Sequence, residues 1–402
     1  MIFVLQLQNN DGAQTESVLL ALVSSSVLMF AGIYIHIPFC KSRCSYCDFA
    51  TGLYQSDIAE RYVEALVREI RTTRQTTKVD TIYFGGGTPS MLSPDQIKRI
   101  LSAVHESFQV QPNSEVTMEI NPGSVTLEIL REFRASGINR ASFGAQTFDD
   151  TELAKLGRAH SAADTLKTFQ SLRDAGFDNV SFDLIAGLPG QTFVGWQENV
   201  ERSLDLRPEH LSFYLLEVHS STPLAQHIQR GIQPKPDEDL AGEMYGWMLE
   251  RSSLAGYEHY EISNLCLAGH ESRHNTKYWT GAAYYGFGCS AHSYDGARRR
   301  WSNERDVARY VDMIVSGTTP IVEQHELTHE EMRAEAVFLG MRMMRGVDTQ
   351  EYKQLYGVDL REEHREDFSR FEEAGLIEFE GNQVRLTRTG ALMSNEVFAS
   401  FV

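Results

Sequence analysis

From Gly32 onward, six short β-rich runs alternate with longer amphipathic stretches, and this alternation most narrows what the chain can fold into. The runs are GIYIHI (32–37), VDTIYF (79–84), EVTMEI (115–120), NRASFGAQ (139–146), NVSFDLIAG (179–187) and HLSFYLLEV (210–218). Between them, stretches such as SDIAERYVEALVREIRTTRQ (56–75) and SPDQIKRILSAVHESF (93–108) carry apolar residues at helical spacing. Ser56 and Ser93 are the expected N-caps, since a hydroxyl can accept from the free N–H groups of a first helical turn. Strands alternating with helices lie parallel in one sheet. Six such units in one run predict an α/β fold built on a barrel or an incomplete barrel.

The unusual residues are placed as such a barrel requires, at the C-terminal ends of the strands. Cys40, Cys44 and Cys47 follow the first run, and GGGTP (85–89) follows the second. Glu119, Asn121 and Pro122 close the third, and Gln146 the fourth. Asp183 and GLPG (187–190) end the fifth, and Glu217 the sixth. In parallel barrels the loops at this end converge on one mouth, which carries the chemistry.

The rhythm breaks after residue 220. The segment 257–296 (YEHYEISNLCLAGHESRHNTKYWTGAAYYGFGCSAHSYDG) is dense in Tyr, His and Gly and shows weak periodicity. From about residue 328, helical patterns precede a hairpin, LIEFEGNQVRLT, turned at Gly381-Asn382. The chain therefore divides into an N-terminal appendage (1–31), a partial barrel (32–220), a connecting region (221–327) and a small winged-helix-like α+β domain (328–402). The appendage is apolar, with no Lys or Arg before Lys41, so it lacks the cationic start of a signal peptide. Met29 is an alternative start for the protein, and a membrane anchor is the weaker reading.

Net charge separates partner classes. With 37 Lys and Arg against 55 Asp and Glu, the formal charge is −18, which repels nucleic acid and anionic membrane. Five cysteines, three of them within eight residues, do not form a disulfide framework and fit a reducing, cytoplasmic setting. Structural zinc wants four ligands, usually in pairs from two loops, and Cys266 and Cys289 lack that pairing. Core thiols rarely share a loop with Pro38, Lys41 and Arg43. Thiolates also suit iron–sulfur clusters, and a cubane [4Fe–4S] cluster normally takes four. Three cysteines leave one iron open to another ligand.

CxxxCxxC after a first strand and GGGTP after a second resemble the radical S-adenosylmethionine (SAM) superfamily. IYIHIPFCKSRCSYCDF, EINPGS, RASFGAQTF, LGRAHS, SFDLIAGLPGQT and NTKYW are similar to its coproporphyrinogen oxidase-like branch, and most of all to the heme chaperones within it. The resemblance covers residues 32 to about 395. It implies a radical SAM partial (β/α)6 barrel, a [4Fe–4S] cluster on Cys40, Cys44 and Cys47, and SAM on the open iron. It further implies SAM contacts from Tyr34, Tyr46, Gly86, Gly87, Thr88, Glu119, Gln146, Arg158 and Asp183. Heme would be cargo, delivered to apo-hemoproteins such as respiratory enzymes, with a homodimer left open. The family's HNxxYW element, linked with heme, stands here as His274, Asn275, Tyr278 and Trp279, with His270, His292 and Cys266 as other ligands to consider. Lying outside the barrel repeat, this element is expected to form an aromatic surface beside the mouth. The competing reading is the oxygen-independent coproporphyrinogen III oxidase. That enzyme resembles CxxxCxxCxC, with a cysteine where this chain has Phe49, and carries a longer N-terminal segment.

Overall fold

The computed structural model describes residues 30–73 and 77–401; the expected appendage, up to residue 29, lies outside the described residues. The six expected strands all form and lie side by side in chain order. They are β1 (Ala31–Ile37), β2 (Lys78–Gly86), β3 (Gln109–Ile120), β4 (Arg140–Gln146), β5 (Val180–Ala186) and β6 (His210–Leu215). Each pairs in parallel with the next, for example Ile33 with Ile82 and Phe182 with Leu211. The connecting helices include α1 (Ser56–Thr72), α2 (Pro94–Ser107), α3 (Leu127–Ala135), α4 (Ala162–Asp174) and α5 (Phe193–Leu206).

Ser93 caps α2 as expected: its side chain accepts from the Gln96 N–H, and Gln96 reaches back to the Ser93 N–H. Ser56 does not cap. It is already helical, and the cap position falls on Gln55, whose side chain makes no capping bond.

Alternation within each strand separates two environments. Ile33, Ile35 and Ile37 of β1 pack outward with Val63, Leu66 and Ile70 of α1 in one apolar core. The other set faces inward and is polar: Thr81, Thr117, Arg140, Ser142, Ser181, His210 and Ser212 are all buried. A barrel lined by polar groups does not function as a hydrophobic core, so the outer helix layer carries the folding energy.

The segment 257–296, whose weak periodicity assigns it no elements, folds into short strands and one helix. After helix α6 (Glu238–Leu254), β7 (Glu258–Glu261) and β8 (Asn264–Cys266) extend the sheet beyond β6 in antiparallel fashion. The short helix α7 (Arg273–Trp279) follows. Next, β9 (Tyr284–Phe287) pairs in parallel with β1, a seventh parallel strand on the far side. Strands β10 (His292–Tyr294), β11 (Arg299–Asn303) and β12 (Ile321–Glu326) complete an open sheet of twelve. These strands are three to six residues long, too short for a period of two to show in sequence.

The C-terminal part has its own core, from Val337 through Phe371 and Val384 to Phe401. Its strand β13 (Val347–Asp348) joins the hairpin of β14 (Ile377–Glu380) and β15 (Gln383–Leu386) in a three-stranded sheet flanked by helices, the layout expected of a winged-helix-like unit. It docks on the barrel through backbone bonds, with Met344 N–H donating to the Tyr260 carbonyl and Ile262 N–H to that of Arg342. No helix among the described residues is long and apolar enough to cross a membrane.

Candidate functional site

The mouth of the barrel gathers the cysteine loop and the ends of β2 to β5. Cys40 ends a two-residue strand that pairs with Gly52–Leu53, and this fixes where the loop leaves the barrel. Ser45 then ties the loop down from both sides: its N–H donates to the Leu156 carbonyl, and its own carbonyl accepts from the Leu224 N–H. Cys40, Cys44 and Cys47 are free and half-buried. Burial raises the pKa of Cys40 and of Cys47, and each is raised further by the neighbouring thiols. Cys40 and Cys47 thus resist ionising unless a cationic metal joins them, which is the chemistry of a cluster site. Cys266 and Cys289 are fully buried, and burial pushes both thiols up to about 12.

The glycines are required by contact. A Cβ on Gly87 would lie 2.7 Å from the Phe39 carbonyl oxygen and 3.0 Å from Cys40 Sγ. Gly86 has φ +111°, and a Cβ there would meet the His36 ring at 2.6 Å. Gly87→Ala is therefore expected to push the Cys40 turn outward at a cost of roughly 1–3 kcal/mol. Measured iron per chain after reconstitution should fall severalfold; wild-type iron content would show that the glycine is not needed for close approach.

Above the glycines, Glu119 accepts from Tyr83 Oη at 2.9 Å and from Gly86 N–H at 3.1 Å. Burial, with Asp183 as a nearby like charge, raises its pKa to about 7. Asp183 is likewise raised by burial, and accepts from Ser142 at 3.5 Å. Tyr34 donates toward His36 Nδ1 at 3.1 Å, and burial lowers the His36 pKa to about 4. Arg158 ties the elements together: it donates to the Gly144 carbonyl at 2.8 Å, to Asn121 Oδ1 at 3.0 Å and to Cys44 Sγ at 3.5 Å. Asn121 in turn donates to Thr88 at 2.6 Å, whose hydroxyl points to Cys40 Sγ at 3.7 Å. Tyr46 packs with Leu156, Ile185 and Leu188 beside Arg158. Gln146 takes φ +66° at a bulge between β4 and β5.

Of the nine residues expected to contact SAM, Gly86, Gly87, Thr88, Glu119 and Gln146 stand at the C-terminal ends of their strands, Tyr34 and Asp183 lie midway along theirs, and Tyr46 and Arg158 come from loops. Asn121, which closes the third strand, belongs with them, and so do His36 and Tyr83, which the sequence does not mark. Asn121 lies inside the EINPGS motif and was legible there; His36 and Tyr83 look like ordinary strand residues.

The model family described as the radical SAM superfamily matches residues 34–202, and the HemN C-terminal domain matches residues 327–393. The heme chaperone HemW of Bacillus subtilis is 38% identical over 92% of this chain and 98% of its own length. The chain belongs to the HemW family. The HemW of Lactococcus lactis is 34% identical over 92% of this chain, and the mouse mitochondrial radical S-adenosyl methionine domain-containing protein 1 is 36% identical over 81%. The coproporphyrinogen III oxidase HemN of Escherichia coli shares the fold, with a TM-score of 0.81 over 97% of this chain and 93% of its own, at 21% identity. Membership of this superfamily implies a [4Fe–4S] cluster and SAM; the loop supplies three free thiols, the donor type a cluster takes, while among the described residues no three such donors are gathered around one metal position.

The HNxxYW element of this HemW-family chain is at the opposite end from the mouth. Helix α7 is capped by Glu115, which accepts from the N–H groups of Arg273 and His274, both at 3.1 Å. Arg273 and Lys277 both pair with Asp80, at 2.6 and 2.7 Å. Asp80 sits near the N-terminal end of β2, and Glu115, midway along β3, pairs with Thr81 at that same level, so α7 forms the barrel floor. His274 points up into the barrel and is 1% exposed. Its Nδ1 bonds Thr81 Oγ1 at 2.8 Å, its Nε2 bonds Tyr278 Oη at 2.9 Å, and its ring stacks on Tyr83. Asn275 gives only its backbone N–H, to the Ser272 cap. Trp279 lies under Arg342 of the C-terminal part at 4.2 Å and packs with Tyr260, Cys266 and Met343. The expectation of an aromatic surface beside the mouth is therefore corrected: with both ring nitrogens engaged and the ring buried, the fold uses His274 as a floor plug.

Proposed function

We propose that the chain is a heme carrier: it binds heme as cargo and passes it to apo-hemoproteins, such as respiratory enzymes, in the cytoplasm. The observation that carries this reading is identity to a curated heme chaperone over 98% of that protein's length. Cys40, Cys44 and Cys47 would hold the [4Fe–4S] cluster, whose open iron would take SAM. Around it, Glu119 and Asp183 would accept hydrogen bonds from the polar groups of SAM, and Arg158 would hold its carboxylate. Gly86 and Gly87 would give it room, Thr88 and Gln146 would set the strand ends, and the rings of Tyr34 and Tyr46 would bound it. When bound, this pair supplies one-electron chemistry in other members of the superfamily.

The second reading, a coproporphyrinogen III oxidase, draws on the shared fold with HemN. Phe49, 62% exposed where that enzyme carries a cysteine, speaks against it. After anaerobic reconstitution, the expected result is one heme bound per chain, with no decarboxylation of coproporphyrinogen III in the presence of SAM and reductant. Multiple turnover of that substrate would replace the carrier reading with the oxidase one.

A further inference from the structure

Because the floor plug leaves His274 no free nitrogen, the cargo needs another ligand, and the mouth offers one. The chain leaving β6 reads Tyr214-Leu215-Leu216-Glu217-Val218-His219, and Tyr214, Leu215 and Val218 are left 36–42% exposed. This stretch meets the cysteine loop where Leu216 shares an apolar cluster with Tyr46 and where His219 Nε2 lies 3.8 Å from Asp48 Oδ2, with Glu217 Oε2 of its own stretch at 3.7 Å. Asp48 directly follows Cys47. The next residue, Phe49, is the most exposed phenylalanine of the described chain, at 62%. On the other side Arg305 donates to the Asp48 carbonyl at 3.3 Å, and among the described residues no carboxylate pairs with it.

We infer that His219 is the axial ligand of the heme cargo, held at the barrel mouth with Phe49 and Val218 against the macrocycle and Arg305 on a propionate. This rests on the carrier reading. The nearest carboxylates stand 3.7 and 3.8 Å from Nε2, outside hydrogen-bond distance, so the imidazole keeps a ring nitrogen with which to ligate iron. Among the described residues neither ring nitrogen of His219 has a hydrogen-bond partner, and its side chain is 27% exposed, so a ligand can reach it. Water-exposed apolar side chains clustered at one site mark a binding surface, and a porphyrin is a flat apolar partner for them. The bare Arg305 guanidinium matches the carboxylates at a porphyrin edge. The other candidates lack this combination. His292 is exposed on β10, but its neighbours Ala291 and Ser293 are small and buried. His270 follows β8 on the floor side, and Cys266 is buried there.

The test uses the full chain with its cluster reconstituted, titrated with ferric heme. His219→Ala is expected to weaken heme binding by at least about tenfold, since loss of an outer-shell partner alone costs metal sites 10–100-fold. It should also abolish the histidine-ligated heme spectrum, while added imidazole restores that spectrum and iron–sulfur content stays at the wild-type level. Phe49→Ser should weaken binding severalfold without changing the spectrum. Unchanged heme affinity and spectrum in His219→Ala would overturn the assignment and leave the carrier reading standing. Absence of heme binding by the wild-type chain would overturn both.

Discussion

Replacing any one of Cys40, Cys44 or Cys47 by alanine is expected to reduce cluster iron and sulfide to background, while Cys266→Ala and Cys289→Ala keep both. The three loop thiols are half-buried at a mouth lined by Gly87, Thr88 and Arg158, and in the proposed site each would supply a ligand that no neighbouring side chain offers. A cubane left with two protein ligands has two open irons and falls apart in water. The fold should survive in all three variants, because none of these side chains belongs to the apolar core. Cys289 does, and Cys289→Ala should cost some stability without touching the cluster. Iron and sulfide analysis after anaerobic reconstitution measures the first effect, and urea unfolding the second. Cluster loss in Cys289→Ala would mean that a fourth thiolate reaches the cluster, and the open-iron argument would fail.

The second large effect is on the floor. His274→Ala is expected to destabilise the chain by about 3–5 kcal/mol, in the range for truncating a large buried ring. The cut also strands the hydroxyls of Thr81 and Tyr278, which now bond the two ring nitrogens. Burial lowers the His274 pKa from 6.5 to about 3, so the folded protein keeps the imidazole neutral. The unfolded chain takes up this proton near pH 6.5, whereas the folded chain resists it until near pH 3. The stability tied to the neutral ring is thus fully present above pH 6.5 and drains away as pH falls toward 3, to a total of about 4–5 kcal/mol. His36 and His160, both lowered to about 4 by burial, add to the same acid limb. His274→Gln should flatten the stability profile between pH 6.5 and 4. A variant with wild-type stability and wild-type acid sensitivity, but without heme binding, would return His274 to the role of ligand.

Much of the mouth was legible in the residues. The three cysteines and GGGTP are local features, since a loop's ligands and a close backbone approach need particular residue types at fixed spacing. The same holds for the six long strands, whose apolar alternation records the helix layer packed on one face. What misled was the short-strand region. Tyr284–Phe287 and Asn264–Cys266 are too brief to carry a period, so their joining of the two edges of the sheet left no trace in sequence. With those strands unplaced, the aromatic and histidine residues around them read as surface when they are interior.

The sequence by itself determined that this chain would build a parallel barrel with a three-thiolate loop at its mouth, because strand periodicity, ligand chemistry and glycine steric demands are written residue by residue. Only the tertiary structure decided that the ring of His274 is fully engaged. His274 belongs to a recognisable motif, yet Asp80, Glu115 and Thr81, some 160 to 190 residues earlier, clamp its helix into the barrel floor and occupy its ring. His219 belongs to no motif, yet the meeting of two distant loops sets it beside Asp48, with no hydrogen bond to either ring nitrogen among the described residues. Whether an imidazole can act depends on what its two nitrogens touch, and those partners come from elsewhere in the chain.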